Sequence, residues 1–401
     1  MKRSLRLGFI LTISLVFATG CWDRTELNDI ALLLGWGMDY KDGRYIGTAQ
    51  IVIPGAAQSG QQGGGGGNNN AYFTETAIGK DITDTTQNLQ SKLSRQIFAG
   101  HRKDVFIGEE LAKHGLSKML DEYSRNPDVR LRTDIFVVKG GTAEDILKIP
   151  NPLEKVPALA ALKLHQQIGG LGDVTLANFL IDASTEGSSP SLPVMEIVTS
   201  SRQQDQEQGS STNSTSFAYA GRAVFNMDEK LAGYLDRGEA ELAWWVKGLL
   251  KFYRVTGVIP QRNGTVSLNL SKLGAHIQPS LQGNKIKFVV TLTGEGTIPE
   301  NNTSLDLSQT KNLNLIQNAF DKQCQQQVQQ VISKVQQEYK ADILGFGEAF
   351  HRKYPEQWKS LKKNWGEEFP KSDVTVKVNL KIKRVGLTGP SLGLKESQIK
   401  E

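Results

Sequence analysis

The sequence predicts an α+β protein of more than one domain, in which mixed β-sheets are packed with helices. Short apolar segments alternate with helical patterns between residues 30 and 183, which favours a mixed sheet covered by helices. After a polar segment at 200–216, the chain is rich in strand patterns and contains a long helical pattern at 309–350. We therefore expect an N-terminal α+β domain at 21–199. We also expect a C-terminal α+β domain at 217–390, with one long helix against an antiparallel sheet.

The first 20 residues have the organisation of an export signal. Lys2, Arg3 and Arg6 precede an apolar core at 7–17. This core of 11 residues is too short to remain as a transmembrane helix, which needs about 20 apolar residues. The pattern therefore predicts a signal peptide at 1–20.

Small residues then lead directly to a cysteine, in the order Ala18-Thr19-Gly20-Cys21. This arrangement resembles a bacterial lipobox, although Ala18 stands where the commonest lipobox has Leu. The resemblance implies that Cys21 begins the mature chain and carries S-diacylglycerol and an N-acyl chain, such as palmitate. The alternative is a cysteine that begins the folded domain and pairs elsewhere, and Cys324 is its only possible intramolecular partner.

The elements of the N-terminal domain follow from periodicity and turn residues. Asp42-Gly43 lies between two apolar runs, which predicts a hairpin of strands at 30–39 and 45–53. A run of Gly, Gln and Asn predicts a flexible loop at 58–71. The remaining predictions are strands at 72–78, 105–107 and 134–138, and helices at 81–98, 109–123, 142–147, 158–168 and 175–183.

The segment 200–216 is rich in Ser, Gln, Asn and Thr, which predicts a polar linker between the domains. The C-terminal domain, with one or two subdomains, precedes a flexible tail at 391–401. Its predicted elements are a hairpin of 217–225 and 231–235, a helix at 239–250, strands at 266–270, 276–278 and 286–294, the helix at 309–350, a helix from 355 to 365, and a half-buried strand at 374–382.

Three side chains in this half are predicted to be buried. Cys324 lies on the apolar face of the long helical pattern, where a small buried residue is favoured over a reactive thiol. Trp358 and Trp365 are seven residues apart on one helix face, which favours a place in the core over an interface.

The residues after the lipobox carry a more specific resemblance. The run Cys21-Trp22-Asp23-Arg24-Thr25-Glu26-Leu27 is followed by an apolar strand that ends in Gly37-Met38-Asp39. These features resemble the start of the Ger(x)C family, the lipoprotein C subunits of spore germinant receptors. The family pattern is also matched by segments at 100–105, 109–112, 221–225, 230–233 and 239–248 and by the region around 346–365.

The resemblance implies a non-enzymatic subunit of a nutrient germinant receptor that is required for spore germination. It also implies integral membrane A and B subunits as partners and a lipid anchor on the outer face of the spore inner membrane. The main alternative is a solute-binding lipoprotein of a membrane transporter. Such proteins ordinarily have two similar lobes, whereas the two halves of this chain have different patterns.

Composition and motifs indicate no catalytic residue, metal site or cofactor. Three of the 47 basic residues lie in the signal peptide, so the mature chain has 44 basic and 42 acidic side chains, and no like-charged block that would suggest nucleic-acid binding. The five histidines are scattered without the His-x-x-x-His spacing of a zinc site. An anchored cell-wall enzyme is therefore not favoured.

Two short segments are candidates for contact with a partner. The first lies beside the lipid anchor and comprises Trp22, Asp23, Arg24 and Glu26. Arg24 could instead pair with a carboxylate of its own domain. The second is the turn at 100–104, with His101, Arg102 and Lys103. This turn is either an exposed basic contact for a partner or an acidic lipid, or a plain loop between a helix and a strand.

Overall fold

The computed structural model describes residues 26, 28–53, 71–151, 153–167, 175–201, 213–259 and 264–386. Five predicted features lie wholly or largely outside the described residues: the signal peptide, the segment 21–24 with the predicted lipid anchor, the loop at 58–71, the polar segment at 200–216, of which 202–212 are not described, and the tail at 391–401.

Within the described residues, a first mixed sheet has nine strands, in the order β3-β2-β1-β5-β6-β7-β8-β9, with β4 paired to β1. The neighbouring strands β1, β5, β6 and β7 are parallel, and antiparallel strands flank them on both sides. The strands are β1 Ile30–Lys41, β2 Arg44–Val52, β3 Tyr72–Gly79, β4 Gln96–Phe98, β5 Asp104–Gly108, β6 Asp134–Lys139, β7 Ser191–Ser201, β8 Asn213–Phe225 and β9 Leu231–Leu235.

Helices cover both faces of this sheet. They are α1 Ile82–Gln90, α2 Glu109–His114, α3 Ser117–Arg125, α4 Ala143–Lys148, α5 Pro157–Gln167 and α6 Leu176–Ser184. In β5, Val105 and Ile107 pack with α1, α2, α3 and α6, whereas Phe106 packs with α4 and α5 on the opposite face. The central strands are therefore continuous apolar runs, because they are buried on both sides.

Two helix predictions in this half are wrong in extent. The predicted helix at 81–98 ends at Gln90. The side chain of Gln90 accepts a hydrogen bond from the Ile97 amide (2.8 Å), which stabilises the turn that follows the helix. Residues 96–98 then pair with β1 as β4. The predicted helix at 109–123 is two helices, because Gly115 has a φ of 118° that a continuous helix does not allow.

The polar segment at 200–216 joins two neighbouring strands of one sheet. Strand β7 precedes this segment and β8 follows it, and the two strands pair antiparallel. Strand β9 pairs with the other side of β8. The predicted hairpin of β8 and β9 is present, and both of its strands belong to the first sheet. Composition marks a solvated loop, but it does not tell whether the strands on either side of the loop pair with each other.

The second sheet has the order β10-β11-β12-β13, with β13 parallel to β12 and the other neighbours antiparallel. The long helix packs against it. The elements are α7 Arg237–Val246, β10 Tyr253–Val258, β11 Thr265–Gln282, β12 Lys285–Asn301, α8 Thr310–Ser333 with a π-helical continuation at Lys334–Glu338, α9 Phe346–Lys353, α10 Pro355–Leu361, α11 Trp365–Glu368 and β13 Asp373–Arg384. The predicted fold class is confirmed, but the sheet behind the long helix is mixed and not antiparallel as predicted, because the helical connection from α8 to α11 brings β13 back parallel to β12.

The long helix is shorter than predicted, because it ends at Glu338 and a separate helix begins at Phe346. Between them, the buried Asp342 carboxylate accepts four backbone N–H groups, from 344 to 347, which stabilises a tight turn at the start of α9. The strands predicted at 266–270 and 276–278 are parts of the single strand β11, and β10 was not predicted.

The three side chains predicted to be buried in this half are confirmed as core residues. Trp358 and Trp365 are almost fully buried, and their ring centroids are 5.1 Å apart. Cys324 is fully buried on α8, and burial raises the pKa of its thiol to about 12. A thiol in this environment remains protonated and unreactive at neutral pH.

Candidate membrane-facing edge

The N-terminal ends of the parallel strands lie together at one edge of the first sheet. Gly35 in β1 lies beside Asp104 at the start of β5, and Asp104 lies beside Asp134 at the start of β6. Strand β1 extends five residues further in this direction, back to Ile30, which corresponds to about 17 Å. The described chain therefore enters the first sheet at this edge.

The predicted contact turn at 100–104 lies on the same edge. A short 3-10 turn at Ala99–His101 is closed by the Arg102 amide, which donates to the Ala99 carbonyl (3.0 Å). The Lys103 amide donates to the carbonyl of Leu34 in β1 (2.8 Å), which fixes the turn against the sheet. His101 and Lys103 are exposed to solvent.

Of the three basic side chains of this turn, that of Arg102 is buried. Its side chain is only 7% exposed, and its guanidinium carbon lies 5.2 Å from the centroid of the Tyr123 ring. This geometry is a cation–π contact, which holds the turn against α3. Arg102 therefore packs against the fold, which agrees with the interpretation of this turn as a plain loop. Its neighbours His101 and Lys103 face solvent.

Two further arginines, which the sequence analysis missed, complete a basic cavity. Arg130 and Arg132 are exposed in the loop before β6, and with 100–103 they line a cavity of about 590 Å³. The loop is held beside the turn because the Asp134 amide donates to the Lys103 carbonyl (3.0 Å). The sequence Arg130-Leu131-Arg132 before an apolar strand could have indicated an exposed basic loop. Only the parallel pairing of β5 and β6 shows that this loop lies beside the turn at 100–103.

Of the acidic groups at this edge, Asp104 offsets little of the positive charge. Asp104 is fully buried, and burial, together with the nearby Asp134 carboxylate, raises its pKa well above the usual range. This shift favours its neutral form. Asp134 in turn lies 3.3 Å from Nδ1 of His165 on α5. The solvent side of the cavity therefore presents Lys103, Arg130 and Arg132 as cations.

The other predicted site residues can be placed only in part. Cys21, Trp22, Asp23 and Arg24 lie outside the described residues, and Glu26 is exposed just before β1, where its carbonyl accepts the Asp29 amide (2.9 Å). In the described part of the chain, no helix is both long and apolar enough to cross a membrane. The same residues contain no cluster of His, Cys, Asp or Glu side chains that could hold a metal ion.

Comparison with known proteins accounts for most of the chain. Residues 23–197 match the family model described as "Spore germination protein N-terminal domain", and residues 220–386 match "Spore germination B3/ GerAC like, C-terminal". The spore germination protein KC of Bacillus subtilis (strain 168) is 28% identical over 96% of this chain and 97% of its own length. The putative spore germination protein YfkR of the same organism is 29% identical, over 96% of this chain and 98% of its own.

The crystal structure of the GerBC protein has a similar fold, with a TM-score of 0.55 and 18% sequence identity, over 87% of this chain and 96% of that chain. The two family models together cover both sheets and nearly all of the helices described above. The protein therefore belongs to the Ger(x)C family and has a role in spore germination.

Proposed function

We propose that this protein is the lipid-anchored C subunit of a nutrient germinant receptor in the spore inner membrane, where it acts beside integral membrane A and B subunits. The observation that supports this most is the position of the basic cavity, on the edge where the described chain enters the first sheet. An anchor at Cys21 would turn that edge, and not the second sheet, toward the bilayer.

The reach of the N-terminal segment limits how far the body can lie from the membrane. Eight residues follow Cys21 up to Asp29, and each extended residue spans at most about 3.6 Å, so the segment spans at most about 29 Å. Two acyl chains are enough for stable anchoring, whereas one gives only marginal binding. Trp22 would lie at the headgroup level, and Asp23, Arg24 and Glu26 would lie close to a membrane-embedded partner.

The charges of the edge suit this orientation. Each Lys or Arg held near an anionic membrane surface contributes about 1 kcal/mol of attraction, and the effect fades within a Debye length of about 8 Å. Lys103, Arg130 and Arg132 are exposed on this edge. They would favour one orientation of the anchored body over others and leave its remaining surfaces free for the A and B subunits.

The anchor is tested by replacing Cys21 with Ala and separating membranes from soluble protein in cells that lack the A and B subunits. We expect Cys21→Ala to move the protein from the membrane fraction to the soluble fraction. The matched control is Cys324→Ala, since Cys324 is buried in α8 and should leave the protein in the membrane fraction. A Cys21→Ala protein that stays with the membrane would show that something other than this lipid holds it there.

A further inference from the structure

A second cavity, between the first sheet and α7, contains the most buried cation of the described chain. Arg222 in β8 is 2% exposed. Its Nη2 donates to the Ser191 carbonyl (2.7 Å), its Nε donates to Ser191 Oγ (3.2 Å), and its guanidinium carbon lies 3.7 Å from the Trp244 ring centroid. Among the described residues, no carboxylate lies within ion-pair distance of this guanidinium and no acceptor reaches its Nη1.

A second donor of the same cavity also lacks an acceptor. The indole Nε1 of Trp244 on α7 is buried, and no acceptor in the described chain reaches it. Arg222 and Trp244 both line a cavity of about 170 Å³, which is enclosed by α6, β7, β8 and the segment that follows α7. A buried donor without an acceptor costs about 1 to 3 kcal/mol, and more when it is charged, so two in one cavity favour a ligand that brings acceptors.

The remaining wall restricts the chemistry of that ligand. Lys247 lines the cavity, but its Nζ lies 2.9 Å from the Asp182 carboxylate, so the uncompensated positive charge is that of Arg222 alone. Burial lowers the pKa of Arg222 to about 10, which leaves it protonated at neutral pH. Ile181 and Leu249 line the cavity and are 59% and 44% exposed, so its solvent side is apolar.

We propose that this cavity binds a small organic carboxylate, whose oxygens accept from Arg222 Nη1 and Trp244 Nε1 and whose short apolar part lies against Ile181 and Leu249. Because Lys247 is already paired with Asp182, the single uncompensated cation matches a monoanion better than a dianion such as phosphate. At about 30 Å³ per water-sized group, the cavity holds a molecule of roughly five or six heavy atoms. The inference is independent of the lipid anchor, since it rests on residues of the folded body.

The probe is isobutyrate, titrated by calorimetry into the full-length protein in detergent at constant ionic strength. We expect isobutyrate to bind, and isobutyramide, which has the same shape without the charge, and phosphate to bind at least about tenfold more weakly, since a hydrogen bond to a charged group contributes about 1.5 to 3 kcal/mol. Equal responses to isobutyrate and isobutyramide, or no binding of isobutyrate, would overturn the proposal.

Variants locate the binding. Arg222→Gln should weaken isobutyrate binding at least about tenfold, but it removes a buried group and could also unfold the protein. Leu249→Trp avoids this problem, because it obstructs the mouth and leaves Arg222 in place, so it should abolish binding with little change in the melting temperature. Leu153→Trp is the matched control, since Leu153 is 88% exposed and lies away from the cavity. Equal isobutyrate binding by the two Trp variants would overturn the proposed location.

Discussion

At the scale of single residues, Asp39 shows how one carboxyl connects β1 to the helix layer. It is buried at the Gly-x-Asp end of the apolar run of β1, and its carboxylate accepts the amides of Ala143 (2.9 Å) and Glu144 (3.2 Å) at the start of α4. Burial raises its pKa to about 6, although these two hydrogen bonds act in the opposite direction. The charged form is therefore tolerated in the fold but not favoured.

This shift predicts a pH dependence of stability. The carboxyl of Asp39 loses its proton near pH 6 in the folded state and near 3.8 in the unfolded state, so between these values the folded state binds more protons. Its contribution to stability is therefore fully present below about pH 4 and is lost as the pH rises through 6. The loss is at most about 3 kcal/mol, at 1.36 kcal/mol per pKa unit.

The measurement is the free energy of unfolding in urea at several pH values from 4.5 to 7, for the wild type and for Asp39→Asn. Because Asn does not titrate, the wild type should lose stability relative to this variant as the pH rises, while the contributions of other groups cancel in the difference. A difference that stays constant with pH would show that the pKa of Asp39 is not raised.

At the scale of elements, the segment between α6 and β7 connects the two halves of the molecule. Gly187 lies under the rings of Trp358 and Trp365, and the Ser189 amide donates to the Asp342 carbonyl (2.9 Å). The Trp365 Nε1 donates to the Asp342 carboxylate (2.9 Å), which holds its ring in place. A loop of the first half is thus packed into the helices α9, α10 and α11 of the second.

This packing predicts that Gly187→Ala is strongly destabilising. Gly187 has a φ of 76°, and an added Cβ would lie 2.2 Å from a ring carbon of Trp358. Gly140 is the matched control, because its φ is 70° but an added Cβ would meet nothing within 4 Å. We expect Gly140→Ala to cost about 1 kcal/mol through backbone strain alone, and Gly187→Ala to cost a further 1 to 3 kcal/mol through overpacking. Urea unfolding measures both, and equal losses would contradict the close contact.

At the scale of the whole molecule, exposed basic residues lie on both sheets, although the chain after residue 20 is almost neutral, with 44 basic and 42 acidic side chains. Lys103, Arg130 and Arg132 share one edge of the first sheet, whereas Lys377 and Lys381 lie on the solvent face of β13 in the second sheet. If the edge of the first sheet faces the membrane, as proposed, changes at that edge should weaken binding to anionic lipids more than changes on β13 do.

The prediction is tested in the Cys21→Ala background, where no lipid masks weak binding. Arg130→Glu with Arg132→Glu should lower co-sedimentation with anionic vesicles at least about tenfold, at about 1 kcal/mol per charge near the surface. Lys377→Glu with Lys381→Glu changes the net charge by the same amount and should have a much smaller effect. Equal effects of the two double variants would mean that net charge, and not this edge, governs the attraction.

Features that depend on neighbouring residues could be predicted from the sequence. Asp42-Gly43 predicted the turn between β1 and β2, the pattern at 142–147 predicted α4, and alternating residues in β13 predicted one buried face, and all three are confirmed. Turn residues, helix caps and periodicity act over a few residues, so a single sequence records them. The family resemblance also rested on short runs of residues, beginning with those that follow Cys21, and the family models confirm it.

Features that depend on pairing between distant segments could be seen only in the folded protein. The tertiary structure made 96–98 a strand beside β1, placed β8 and β9 in the first sheet, and brought Arg130 and Arg132 beside the turn at 100–103. It also placed the guanidinium of Arg222 against the ring of Trp244. In the sequence, Arg222 is only a single charge inside a strand pattern. Strand order and register are set by the combined burial of many side chains from remote parts of the chain, and no local pattern in one sequence specifies that sum.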